Sequence, residues 1–350
     1  IAILAHAVGT FFAVRWMARV HGAHEHSATL AGAAVVLGPL GSTALIDYQV
    51  DTWPTFLWLP LVLGCAERAA RAAREGPNAR LRWIGMGGLA LAAMLLGSHL
   101  RVSSAAVGVF CLWVLVRWRD LPGALAIVVL GLIAGAPGYV PMVLEAGVAA
   151  QGVAPALLAG QVEQALGLPA VAGWLAPAVL AVGRDISLGT ILGVTTLAGI
   201  GAGGPAGPRD SLRMGLVVAI LILAGSHLPG VKLIFAPLLV LSWPVNVVWP
   251  VLAVFPAAIL AARGLDRLLA LEPQERGRWL RGAASLGLGL LAGASVLRIA
   301  LGPGTFPSPY AFWLQALSLT QAVLFGSLAV YLLLRPRAGS RLPDLLFALV

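Results

Sequence analysis

Acids, bases and cations able to move protons and hold phosphate gather in a few short polar stretches of an otherwise apolar chain. Asp47 and Asp51 share Asp47-Tyr-Gln-Val-Asp-Thr-Trp53, and His99 and Arg101 share Gly97-Ser-His-Leu-Arg101. Glu145 closes Pro141-Met-Val-Leu-Glu145, Arg184 stands beside Asp185, and His227 and Lys232 flank a proline-rich stretch. A carboxylate can take the proton of a hydroxyl. A guanidinium fork offers phosphate two parallel hydrogen bonds, whereas lysine offers a point charge. Plainer readings compete at each position. Asp47 and Asp51 suit a solvated turn, and His99 with Arg101 suits an interfacial pair whose apolar stems snorkel. Arg184 and Asp185 suit a local loop ion pair, worth little when exposed. Lys232 also suits an interfacial anchor. Glu145 differs, because an acid at an apolar edge needs a partner.

The elements that must position these groups follow from composition and charge. Hydrophobic residues make up 59% of the chain and charged residues 11%, against about 25% charged in a soluble domain. A water-soluble core in 350 residues could not absorb that much apolar surface. Of the 23 basic residues, 19 fall in alternate gaps between apolar runs; Arg101, Arg184, Lys232 and Arg298 alone occupy the gaps between. Basic residues are retained on the cytoplasmic side during insertion, so the alternation predicts a polytopic membrane protein with Ile1 outside and the arginine-rich loops inside. The net charge of +9 is then a topological bias helped by anionic headgroups, not a nucleic-acid signature. On this topology the candidate residues all lie on the outer face.

A span needs about 20 apolar residues, fewer inside a bundle. The runs predict an all-α transmembrane bundle, one domain over 1–350, with about 11 spans. They are Ile1–Met17, Ala28–Ile46, Trp53–Cys65, Trp83–Ser98, Val102–Val116, Leu121–Leu144, Ile186–Ala202, Met214–Ala224, Val247–Ala262, Ala283–Ile299 and Ala311–Leu334. Residues 146–185 form the longest outer loop, where Val153–Leu168 suits an amphipathic interfacial helix or a simple lid. The segment His227–Asn246 is predicted to be re-entrant or surface-lying, because a full span there would put Arg263, Arg267, Arg276, Arg278 and Arg281 outside. Residues 335–350 read as a cytoplasmic tail leading into a further span, and both ends of the chain read as cut.

Several motifs carry less. His21, His24 and His26 invite a metal reading, but a solvated cytoplasmic turn is the plainer one, and no metal site is predicted. The glycine-rich stretch Gly201–Gly207 lacks the lysine and hydroxyl residue of a phosphate loop. Cys65 and Cys111 both lie in apolar runs and are expected to be packing residues.

Three passages together resemble the bacterial YfhO-type membrane proteins of the GT-C glycosyltransferase superfamily. Ala5–Arg71 holds a His-containing first span and a basic turn leading to Trp58-Leu-Pro-Leu-Val-Leu-Gly-Cys-Ala-Glu-Arg68. Ala92–Arg101 contains Gly97-Ser-His99, similar to the family's Gly-His-Pro, and precedes Ala134-Gly-Ala-Pro-Gly-Tyr-Val-Pro141 and Glu145. Trp249–Leu269 closes on Gly264-Leu-Asp266 as the family's apolar span does. The chain departs from the pattern at Ser98 and at Leu100, where the family has proline. The resemblance covers most of residues 1–270 and implies a GT-C-like bundle in the bacterial plasma membrane. It also implies a sugar transferase using a polyprenyl-phosphate donor, with membrane lipids as partners. Its main catalytic base would lie upstream of residue 1. Asp47, Asp51 or Glu145 would then assist, and His99, Arg101, Arg184, Asp185, His227 and Lys232 would bind substrate or phosphate. A divalent cation on these carboxylates is compatible but not required. A transporter or flippase for a lipid-linked substrate, and a non-catalytic membrane subunit, are the alternatives.

Overall fold

The computed structural model describes residues 2–37, 53–117, 120–152, 196, 199–200, 209–224, 251–272, 274–275 and 277–279. Among them the chain is helical, with no strand. Eight helices follow in order: α1 (Ala2–Val20), α2 (Glu25–Leu37), α3 (Trp53–Ala72), α4 (Pro77–Gly97), α5 (Leu100–Arg117), α6 (Leu121–Gly152), α7 (Asp210–Ala224) and α8 (Val254–Ala270). The α4 helix and the Leu121–Leu144 part of α6 are long and apolar enough to cross a membrane.

Helix α3 packs against both α1 and α4, α4 packs along α6, and α8 leans on α2 and α7. Small residues let α4 and α6 approach closely, as in membrane bundles. A Cβ added at Gly87 or Gly88 would press on Ile127 or Leu130, and one at Gly131 or Gly135 on Leu91 or Leu95. The far side of α6 turns outward: Leu125 and Ile133 are 62% and 68% exposed. A large apolar side chain left that exposed suits lipid rather than water.

Helix ends are set by identifiable chemistry. After α1, Gly22 takes φ 93°, and the Ala23 and Gly22 N–H groups donate to the Ala18 and Arg19 carbonyls. This is a Schellman closure, which favours glycine at the left-handed position. The following α2 is capped from far away. Asp266 of α8 accepts the His24 N–H at 2.8 Å and the Ser27 hydroxyl at 2.5 Å, supplying the side-chain acceptor that a helix start lacks. Asp120 caps α6 by accepting the Gly123 N–H at 3.2 Å and is held by Arg80 of α4 at 2.5 Å.

Several expectations change. The sixth and ninth apolar runs continue as helix to Gly152 and Ala270, past the expected ends at Leu144 and Ala262. The third apolar run continues as helix to Ala72, because the charge of Glu67 is neutralised by its neighbours instead of ending the span. The turn at His21 is not solvated: His21 is fully buried, while His24 and His26 are exposed. Cys111 is exposed rather than packed, whereas Cys65 is buried as expected.

Candidate functional site

Charge collects at one end of the bundle. Arg117, the last residue of α5, lies 2% exposed over the Trp113 ring, 4.6 Å from its centroid. One of its nitrogens meets Glu67 of α3 at 3.0 Å. Two others donate to Oδ1 of Asp210, the first residue of α7, at 3.0 and 2.7 Å. The second Asp210 oxygen accepts from Arg263 of α8 at 3.1 Å. Arg263 also donates to the His21 carbonyl at 2.8 Å and to the Ser211 hydroxyl at 3.1 Å. Glu67 is completed by Arg71 at 3.1 Å. Buried ions persist only when partners and hydrogen bonds replace water, and here the partners come from four helices and a turn. Asp210 gains further from the positive end of α7.

His21 sits inside this cluster. Its Nδ1 lies 2.8 Å from the Met17 carbonyl, so Nδ1 carries the proton. Its Nε2 then faces Glu67 at 3.8 Å with no hydrogen-bond partner. Burial pushes the imidazole down to about 3, against the opposing pull of Glu67, so His21 is neutral at pH 7. Nearby, Glu25 receives both Arg15 and Arg19.

The other end carries no such charge among the described residues. There the Thr55 hydroxyl, in the first turn of α3, bonds Ser98, just past α4, at 2.8 Å, and both are buried. Pro54 abuts Gly97, where a Cβ would come within 3.2 Å. These contacts tie together the chain following Asp51 and the chain leading into His99 and Arg101. His99 is exposed, and its carbonyl accepts the Val102 and Ser103 N–H groups at the start of α5. Glu145 lies within α6, which runs on to Gly152, and Arg101 lies in the first turn of α5. The side chains of those two residues, and Asp47, Asp51, Arg184, Asp185, His227 and Lys232 entirely, fall outside the described residues. So do Val153–Leu168 and the segment His227–Asn246. No group of three or more His, Cys, Asp or Glu is placed to hold a metal among the described residues.

Sequence reasoning passed over Glu67, Asp210, Arg117 and Arg263, and took His21 for part of a solvated turn. One signal was available. Glu67, Asp120, Asp210 and Asp266 all lie in or beside the arginine-rich gaps. Acids there do not help retain a loop inside, so they call for partners.

Among the described residues, a helical bundle with apolar outward faces and charge buried at one end has the organisation of a polytopic membrane protein. More particularly, its fold is similar to that of ArnT from Cupriavidus metallidurans. The structure of ArnT bound to undecaprenyl phosphate aligns with TM-score 0.55 at 17% identity, over 99% of this chain and 60% of that chain. The apo structure gives TM-score 0.53 at 20% identity, over 99% and 59%. The chain thus spans about three fifths of ArnT's length. The sequence matches no known family profile and no curated protein.

Proposed function

We propose that the chain is a polyprenyl-phosphate-dependent membrane glycosyltransferase of the GT-C superfamily, YfhO-type, that passes a sugar to an acceptor at the face opposite the arginine cluster. The observation that carries this reading is the likeness to ArnT, which has been solved with undecaprenyl phosphate, over 99% of this chain. The Thr55–Ser98 tie adds to it, because it joins the chain that follows Asp51 to the chain that leads into His99 and Arg101. The basic end faces the cytoplasm of a bacterial plasma membrane on this reading.

In the transfer, a carboxylate takes the proton of the acceptor hydroxyl while that oxygen bonds the anomeric carbon. The bond from that carbon to the lipid phosphate breaks, and its electron pair leaves with the phosphate. Asp47, Asp51 or Glu145 serves the first task. Arg101, Arg184 and Lys232 steady the departing phosphate, and His99, Asp185 and His227 line the substrate. A divalent cation would find oxygen donors in Asp47 and Asp51, and no step here depends on it.

The test uses the full chain in detergent with radiolabelled polyprenyl-phosphate sugars and a lipid extract. Label moving to an acceptor, and lost in Asp51→Asn or Arg101→Ala, is expected. Full transfer in an Arg101→Ala, Glu145→Ala and Arg184→Ala series would discard the residue assignment. No transfer from any donor by folded protein would discard the enzyme.

A further inference from the structure

Two apolar stripes converge on an aromatic and cationic corner at the basic end. Along α1, Leu4, Val8 and Phe12 are exposed at four-residue spacing, and the next step is Trp16. Along α4, Leu89 and Met86 are exposed on the face that ends at exposed Arg82. Helix α3 lies between, packed against both. Trp16 stacks on Trp83 with centroids 6.1 Å apart and planes 27° apart. Arg68 of α3 covers Trp83, its Cζ 5.3 Å from the ring centroid. Gly64, one turn earlier on α3, makes this fit: a Cβ there would collide with the Trp16 ring.

The arginines of this end differ in their partners. Arg15, Arg19, Arg71, Arg80, Arg117 and Arg263 each pair with a carboxylate. Arg68, Arg74 and Arg82, from the α3–α4 hairpin, have no ion pair among the described residues, and all three are exposed. We propose that the corner formed by Arg68, Arg82, Trp16 and Trp83 binds an anionic phospholipid. Its headgroup phosphate is held by the two guanidiniums, and its acyl chains lie along the α1 and α4 stripes. The aromatic pair sits where indoles favour the boundary between hydrocarbon and headgroup, and unpaired arginine forks match a phosphodiester. A soluble polyanion would use the arginines and leave the converging apolar stripes unexplained. The proposal rests on the membrane reading but not on the transfer reaction.

The full chain in detergent is titrated with phosphatidylglycerol, phosphatidylcholine or inorganic phosphate, following bound lipid by native mass spectrometry and the thermal midpoint. Phosphatidylglycerol is expected to be retained in preference to phosphatidylcholine. That preference should fall about fivefold per arginine in Arg68→Gln and Arg82→Gln, and Arg209→Gln, at the exposed foot of α7, should leave it intact. Both substituted residues are exposed, and equal midpoints in phosphatidylcholine check that the variants fold. Equal retention of the two lipids by the unaltered chain, or undiminished preference in the double variant, would overturn the proposal. So would an equal response to inorganic phosphate, which would make the corner a simple anion site. A chain retaining neither lipid would overturn it too.

Discussion

The two ends of the bundle hold their helices together by different means. At one end, Glu67, Arg117, Asp210 and Arg263 are buried ions that satisfy one another across four helices. At the other, a neutral hydroxyl pair, Thr55 and Ser98, does the joining. The ions of the charged clasp are spent on one another. The hydroxyl tie commits no charge, and Asp51, His99 and Arg101 lie close to it in sequence. Charge at one end is architecture; the proposed chemistry belongs to the other.

The sharpest way to break this contrast is to unpair the clasp. Replacing Arg117 by alanine leaves Glu67 and Asp210 short of a partner in a buried site, and a loss of about 3–5 kcal/mol is expected. Thermal unfolding in detergent measures it, and a midpoint unchanged from the unaltered chain would show the cluster to be incidental.

Acid should attack the same end next. His21 titrates near 6.5 when unfolded and about 3 when buried, so the unfolded chain takes up the extra proton between those values. Stability is therefore full above about pH 6.5 and falls as pH drops toward 3. A midpoint-against-pH series should be flatter over that window in His21→Asn.

At the opposite end, Thr55→Val strands one buried hydroxyl and should cost about 1–3 kcal/mol, part of which Thr55→Val with Ser98→Ala recovers. Transfer activity should fall more than stability if the tie positions the site. The smallest effect is expected on the lipid-facing side of α6, where Leu125→Val should stay within about 0.5 kcal/mol.

Much of the fold was legible in the sequence because insertion is a one-dimensional process. Alternating arginines announce which helix ends lie together, and the ends of α3, α5 and α8 do meet through Glu67, Arg117 and Arg263, with the turn after α1 joined through the His21 carbonyl. Burial of those charges was not legible. The Arg117–Asp210 pair is separated by 93 residues, and nothing local marks which arginine faces its neighbours and which faces the headgroups. Apolar counting also stopped α3 at Cys65, since it treats Glu67 as a charge in lipid rather than as half of a pair. Prolines misled less than they often do. Pro137 and Pro141 lie inside α6, which continues past Glu145; in membrane helices neighbours can satisfy the freed carbonyls.

The cap on α2 has a consequence for the order of events at the ribosome. His24 and its acceptor Asp266 are 242 residues apart, and Arg263 closes on the His21 carbonyl over the same interval. Synthesis runs at about 5–20 residues per second, so the turn between the first two helices waits roughly 10 to 50 seconds for the groups that finish it. During that interval the amino-terminal helices must be held by the insertion machinery or by lipid. A nascent chain arrested before Asp266 should therefore expose residues 21–27 to protease, and one arrested well beyond it should not.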